Sequence, residues 1–125
     1  MLTPEEITAV AYRALEDKKA KDVKILKTAE HTVLADYFVI CNGSSSTHIK
    51  ALVDEVDKQL SEAGEPPIRR EGLRSDIWVL MDFGSVIVHV FTEEARKFYN
   101  LERLWSDSTE VDPAALPIPE KQAEA

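Results

Sequence analysis

Residues 35–46 read ADYFVICNGSSS, an apolar run that ends at Gly43 and three serines, directly ahead of a stretch patterned as a helix. A strand feeding a Gly/Ser turn at a helix N-terminus can hold phosphate, because the exposed N–H groups and the helix dipole both favour an anion. Two chemistries would use such a turn. A Walker-type loop requires a lysine after the glycines to reach the phosphates, and this chain has Thr47 and His48 where Lys and Ser/Thr would stand. Nucleotidyl transfer requires two carboxylates, one residue apart on a following strand, to hold the metal ions that activate the attacking oxygen. The candidate strands supply Asp82 alone, and SVIVHVF (85–91) contains no acid. The turn is therefore read as a turn, in which Gly43 makes the bend and Ser44, Ser45 or Ser46 caps the helix.

Other catalytic constellations are no better supplied. Cys41 ends an apolar strand while His31, His48 and His89 are scattered, so the ordinary reading is a buried cysteine and packed or surface histidines. His48 and Asp54 come nearest to a metal-ligand pair, but their separation is out of register with a helical turn. These residues imply no enzyme, no cofactor and no metal.

The elements that position these residues belong to one small domain. A chain of 125 residues, 44% hydrophobic and 30% charged, can bury a core without staples and is too apolar to stay disordered. One cysteine cannot form an internal disulfide, which suits a reducing cytoplasm. MLTPEEITAV lacks the basic and apolar regions of a leader, and no stretch approaches membrane-spanning length.

A net charge of −8 would repel a polyphosphate backbone, so direct contact with nucleic acid is not expected and a basic protein is the better macromolecular partner. Part of the acidity lies in residues 106–125, with five of the 23 acids and one of the 15 cations; the remaining 18 acids and 14 cations still leave a net charge of −4. Three prolines and no aromatic make that segment poor core material. Composition thus divides the chain into a domain over 1–107 and an acidic, disordered tail over 108–125.

TPEEITAVAYRALEDKK opens with Thr3 as N-cap, Pro4 at the first helical position and Glu6 placed for a capping box, and repeats Ile7, Val10, Ala11, Ala14 and Leu15 at helical spacing. DVKILK (22–27) and DYFVIC (36–41) read as strands. Ile49, Leu52, Val53, Val56 and Leu60 form the stripe of a second helix, stopped at Gly64. PPIRREG (66–72) reads as an edge strand because its prolines cannot donate to a ladder. DIWVLMDFGSVIVHVF (76–91) reads as a hairpin turning at Phe83, Gly84 and Ser85, and Thr92 caps a short last helix. The expected fold is α/β in the order αββαβββα, a mixed five-stranded sheet flanked by helices, with at least one parallel pair around the crossover.

On DIWVLMD, Ile77, Val79 and Met81 alternate with Trp78, Leu80 and Asp82, so both faces of that strand are rich in apolar residues. Pattern alone leaves two readings open. Trp78 and Leu80 are either the second half of a core, as on a strand buried on both sides, or part of an apolar patch rimmed by acids, as at a protein-binding surface.

LADYFVICNGSSSTHIKALVDEV and EGLRSDIWVLMDFGSVIVHVFTEEARKFYNLERLWSD closely resemble the ribosomal silencing factor family, also called RsfS or Iojap-like proteins. The resemblance covers residues 4 to 107 and is specific in combination: Ala35 to Ile40, Gly43 with Ser45 and Ser46, Glu71-Gly72, Trp78-Val79-Leu80, Asp82 with Gly84, Val88 to Phe91, and Tyr99 to Trp105. Asn100 stands where many members have Asp, and Met81 where Leu is common.

The resemblance implies a small α/β domain distantly similar to nucleotidyltransferases but without their catalytic acids. It implies a cytoplasmic translational repressor that binds the large ribosomal subunit through its basic protein number fourteen, blocks joining of the small subunit and lowers translation when nutrients are short. Set beside the apolar patch, it assigns the partner contact to Trp78, Leu80 and Asp82, with Glu71, Asp76 and Asp36 as negative rim and Tyr99, Leu101 and Trp105 as second choices. The same patch could pair two copies of the chain when free, as members of the family do. The rival reading is a residual nucleotide-binding enzyme of nucleotidyltransferase type using Gly43, Ser44 and Asp82.

Overall fold

The structure, a computed structural model, describes residues 2–28, 35–72, 77–100, 103 and 109–117. Helix α1 (Pro4–Asp17) begins as its sequence dictates. The Thr3 hydroxyl accepts from the Glu6 N–H at 3.1 Å, and the Glu6 carboxylate accepts from the Thr3 N–H at 3.0 Å, so two N–H groups that the helix itself cannot satisfy are met. Strands β1 (Lys21–Lys27) and β2 (Tyr37–Gly43) follow, then α2 (Ser46–Glu62), β3 (Arg69–Glu71), β4 (Trp78–Asp82), β5 (Val86–Thr92) and α3 (Glu93–Tyr99).

The strands form one mixed sheet in the order β3-β4-β5-β2-β1-β6, where β6 is Thr109–Glu110. Strands β2 and β5 run parallel in register from Tyr37↔Val86 to Gly43↔Thr92; the other pairs are antiparallel. The α2 crossover therefore carries the chain from β2 out to the edge at β3, and β4 and β5 return it to the centre. The proline-led segment does lie at an edge. Arg70 ties it to α2, pairing with Asp57 at 2.8 Å and Asp54 at 3.2 Å.

The sheet has six strands rather than the expected five. Strand β6 pairs with β1 through Leu26↔Glu110 and Lys27↔Thr109, and the Val111 N–H donates to the Ile25 carbonyl at 2.8 Å. Val111 and Leu116 pack against the core, and a 3-10 turn at Pro113–Ala115 is capped by Asp112. The ordered sheet thus extends beyond residue 107, where composition ended the domain, and residues 109–117 of the supposed tail are placed against it. A two-residue strand offers no periodicity to read, and its hold on the domain is a backbone ladder that side-chain composition does not report.

Every residue named on the two helical stripes is buried: Ile7, Val10, Ala11, Ala14 and Leu15 on α1, and Ile49, Leu52, Val53, Val56 and Leu60 on α2. They close over Ile25, Val39, Cys41, Val79, Met81, Val86, Val88 and Val90 on one face of the sheet. Burying each such aliphatic side chain contributes roughly 1.5–3 kcal/mol. The opposite face is built differently.

Candidate functional site

Gly43, Ser44 and Ser45 of the Gly-Ser turn are committed to structure. A Cβ on Gly43 would come within 2.9 Å of Ile49 Cγ1 and 3.3 Å of the Ile49 backbone N, so glycine lets α2 start against the end of β2. The Ser45 hydroxyl is the cap, accepting from the His48 N–H at 3.1 Å. His48 Nδ1 accepts from the Ser44 N–H at 2.9 Å, and its Nε2 donates to the Lys18 carbonyl at 2.7 Å, which clamps the turn to the end of α1. Asp82 is not near this turn. It stands opposite Ile87, whereas Gly43 stands opposite Thr92 at the other end of β5, five residues away or roughly 16 Å at 3.3 Å per residue. Gly43, Ser44 and Asp82 are therefore not brought into one site.

Cys41 and His89 are separated by the sheet itself. Cys41 is buried on the helix-covered face, where burial pushes its thiol up to about 12. His89 belongs to the opposite face, across from Leu80. Cys41 and His89 therefore form no thiolate–imidazole pair. Among the described residues, no group of three or more His, Cys, Asp or Glu is placed to hold a metal ion.

The face turned away from α1 and α2 gathers most of the described residues that sequence assigned to partner contact. Alternation along β4 sends Val79 and Met81 into the helix-covered core and leaves Trp78, Leu80 and Asp82 half-buried on the other side. There Trp78 and Ile87 pack against Leu26, Ala35, Phe38, Ile40, Phe91 and Ala95. The Trp78 ring stacks on Phe91 at 5.1 Å and meets Tyr99 of α3 at 4.9 Å. Trp78 is thus both things that its pattern allowed, an inner member of an aromatic cluster and a partly exposed ring.

Gly72 sets where that ring stands. Its φ is +82°, and a Cβ there would lie 2.1 Å from the Trp78 carbonyl oxygen, so only glycine lets the segment after β3 pass this close to the start of β4. Beyond it, Glu71, Trp78 and Leu80 line a notch of about 190 Å³.

The charges around the face are more balanced than composition suggested. Arg69, which sequence reading did not single out, stands opposite Asp82 and pairs with it at 3.1 Å, while its Nε is also 3.6 Å from Glu71. Asp82 further accepts from the Gly84 N–H at 2.8 Å, which makes it the hydrogen-bonded corner of the β4–β5 turn as well as a surface acid. Asp36 lies at that same turn, its N–H donating to the Ser85 carbonyl at 2.7 Å, and so frames the end of the sheet remote from Trp78. Asp76, Leu101 and Trp105 lie outside the described residues.

Tyr99 packs on its own sheet, as an aromatic-rich C-terminal turn ordinarily does, yet stays 41% exposed. Arg96 holds α3 in place, donating to Asn42 Oδ1 at 2.9 Å and to the Asp22 carbonyl. Sequence reading missed Phe98, 81% exposed, and Ile77, 45% exposed, which with Tyr99 line a further apolar groove of about 460 Å³. Adjacent Phe98 and Tyr99 at the end of a short helix were the available signal, whereas Ile77 lies before β4 and meets them only through the fold.

His89 is the buried polar member of the face. It is 4% exposed, lies edge-on to Phe38 at 5.0 Å and accepts the Trp78 indole N–H on Nδ1 at 3.1 Å. Burial lowers its pKa to about 4, so the ring is neutral near pH 7.

The molecule is thus a single-domain α/β protein with two helices closing one face of a mixed sheet and an aromatic second face on which α3 packs. The family model for the ribosomal silencing factor during starvation, RsfS, matches residues 2–125, a span that includes the acidic segment. An RsfS protein from Halalkalibacterium halodurans is 39% identical over 111 residues, covering 89% of this chain and 95% of its own. A mouse protein named mitochondrial assembly of ribosomal large subunit protein 1 is 33% identical over 113 residues, 85% of this chain and 50% of its own. The crystal structure of a Chromobacterium violaceum protein superposes with a TM-score of 0.82 at 35% identity, covering 95% of this chain and 98% of that one. The chain belongs to the ribosomal silencing factor family.

Proposed function

We propose that this protein is a cytoplasmic translational repressor that docks on the large ribosomal subunit through its basic protein number fourteen and sterically blocks joining of the small subunit. Lowering translation under nutrient limitation is the outcome we assign to that block, and the mechanism needs no catalysis, metal or cofactor. The observation that carries the proposal is the pairing of half-buried Trp78 and Leu80 beside Glu71 on the face that α1 and α2 leave alone. An amphipathic aromatic anchor next to an acid suits a basic protein surface. The net charge of −8 disfavours ribosomal RNA as the main contact.

We assign the contact to Trp78 and Leu80, with Glu71 and Asp82 at the rim and Tyr99 beside the anchor; Asp76, Leu101 and Trp105 complete the assignment from sequence, and Asp36 marks its far end. The same face is the one through which two free copies would pair, to be exchanged for the ribosome on docking. A distant kinship of shape with nucleotidyltransferases accounts for the Gly-Ser turn without its chemistry, since Ser44, Ser45 and His48 satisfy one another.

Cosedimentation with isolated large subunits, together with light scattering of subunit joining, tests the proposal. Binding that falls only partly as salt rises, with joining blocked, is the expected result. A steep fall with salt would indicate an RNA-dominated contact, and binding without inhibition of joining would overturn the steric block.

A further inference from the structure

The second face contains one group that a purely structural account leaves unexplained. His89 sits among Phe38, Trp78 and Phe91, surroundings in which a leucine or phenylalanine would bring no polar atom of its own to bury. Its Nδ1 accepts the Trp78 indole N–H at 3.1 Å, which places the proton of the neutral ring on Nε2. That Nε2 is buried and has no hydrogen-bond partner among the described residues. An unmet buried donor destabilises the fold. Histidine here therefore gives up stability in exchange for one acceptor, and that acceptor faces the residue to which the docking reading assigns the central anchor.

The geometry fixes what the acceptor does. Stacking on Phe91 at 26° and contact with Tyr99 at 45° restrict the tilt of the indole, but flat aromatic contacts do not by themselves distinguish the two orientations related by a flip about the Cβ–Cγ bond, which exchanges the ring's edges. A directional N–H···N bond removes that ambiguity and selects which edge of the ring is turned inward. We infer that His89 is a positioning residue: by accepting the indole N–H it holds Trp78 with its polar edge buried and its hydrocarbon edge presented to the partner. The inference rests on the docking reading for its purpose, but not for its geometry. Deep burial keeps His89 neutral near pH 7, the state in which Nδ1 can accept.

The test uses the full chain and three proteins: wild type, His89→Phe, which keeps an aromatic ring and removes the acceptor, and His89→Gln, whose side-chain carbonyl can accept again. The first readout is the Trp78 indole N–H resonance and its hydrogen-exchange rate by NMR, assigned by its disappearance in Trp78→Phe. The second is cosedimentation with isolated large ribosomal subunits. In His89→Phe the resonance should shift and exchange faster, and binding should weaken about tenfold. His89→Gln should restore slow exchange and most of the binding. An unchanged indole signal in His89→Phe would overturn the positioning role, as would equal loss of binding in both variants. Failure of the wild type itself to bind would instead overturn the docking reading and the purpose assigned to His89, while the indole readout would still judge the hydrogen bond.

Discussion

The two faces of the sheet are made from the same six strands, and they differ in kind. One is aliphatic, with Val39, Val79, Met81, Val86, Val88 and Val90 sealed under two amphipathic helices to 2% exposure or less. The other is aromatic and only partly covered: Trp78 touches Phe91, Tyr99 and His89, of which Phe91 and His89 are buried, while Trp78, Leu80 and Ile87 stay half-buried and Tyr99 exposed. The first has little left to offer a partner because its apolar surface is already removed from water. The second keeps surface whose burial remains available. Substitutions on the first face should therefore damage the fold, and those at the partly exposed Trp78 and Leu80 of the second should chiefly damage docking.

The largest effect is expected in the sealed layer. Leu52→Ala, at a position with no exposure, should lower stability by about 2–5 kcal/mol in chemical denaturation while leaving affinity per folded molecule unchanged. A cost below about 1 kcal/mol would show that this face is not the close-packed core described.

Next in size is the pH dependence of the second face. His89 has a folded pKa near 4 against 6.5 for an ordinary histidine, so the unfolded chain takes up the proton first as the pH falls. Its contribution is complete above pH 6.5 and is lost progressively down to about pH 4, a change of up to about 3 kcal/mol. Denaturation curves across this window should show a steeper loss in wild type than in His89→Phe. Parallel curves would mean that the imidazole is solvated.

Much of the first face could be read in the sequence, and little of the second. The Thr3, Pro4 and Glu6 cap and the stripes on α1 and α2 are local patterns of residues within a turn or two of one another, and each is borne out. Arg69 could not be recognised as the partner of Asp82, because their pairing depends on the register of β3 against β4. His89 looked scattered for a related reason. Its alternation with Ile87 and Phe91 was visible on β5, but its position opposite Leu80 is a tertiary fact. Strand β6 escaped because two residues carry no period. The parallel pairing of β2 with β5 spans the whole α2 crossover and rests on no local signal stronger than the need for one parallel pair.

A smaller effect is expected at the corner of the hairpin. Asp82→Asn keeps an oxygen to accept the Gly84 N–H but loses the charge paired with Arg69, so stability should change by less than about 1 kcal/mol. Asp82→Ala removes both interactions and should cost more than Asp82→Asn. Equal costs would show that the ion pair, and not the turn hydrogen bond, is what Asp82 contributes.

The contrast between the faces is tested most directly at Trp78. Trp78→Ala is measured by cosedimentation with isolated large subunits and by thermal unfolding of the same preparation, with Leu52→Ala in parallel. Trp78→Ala should weaken binding about 30-fold or more, equivalent to about 2 kcal/mol, with a smaller drop in unfolding temperature than Leu52→Ala. A Trp78→Ala protein that unfolds as early as Leu52→Ala, yet binds large subunits as tightly per folded molecule as the wild type, would contradict that contrast.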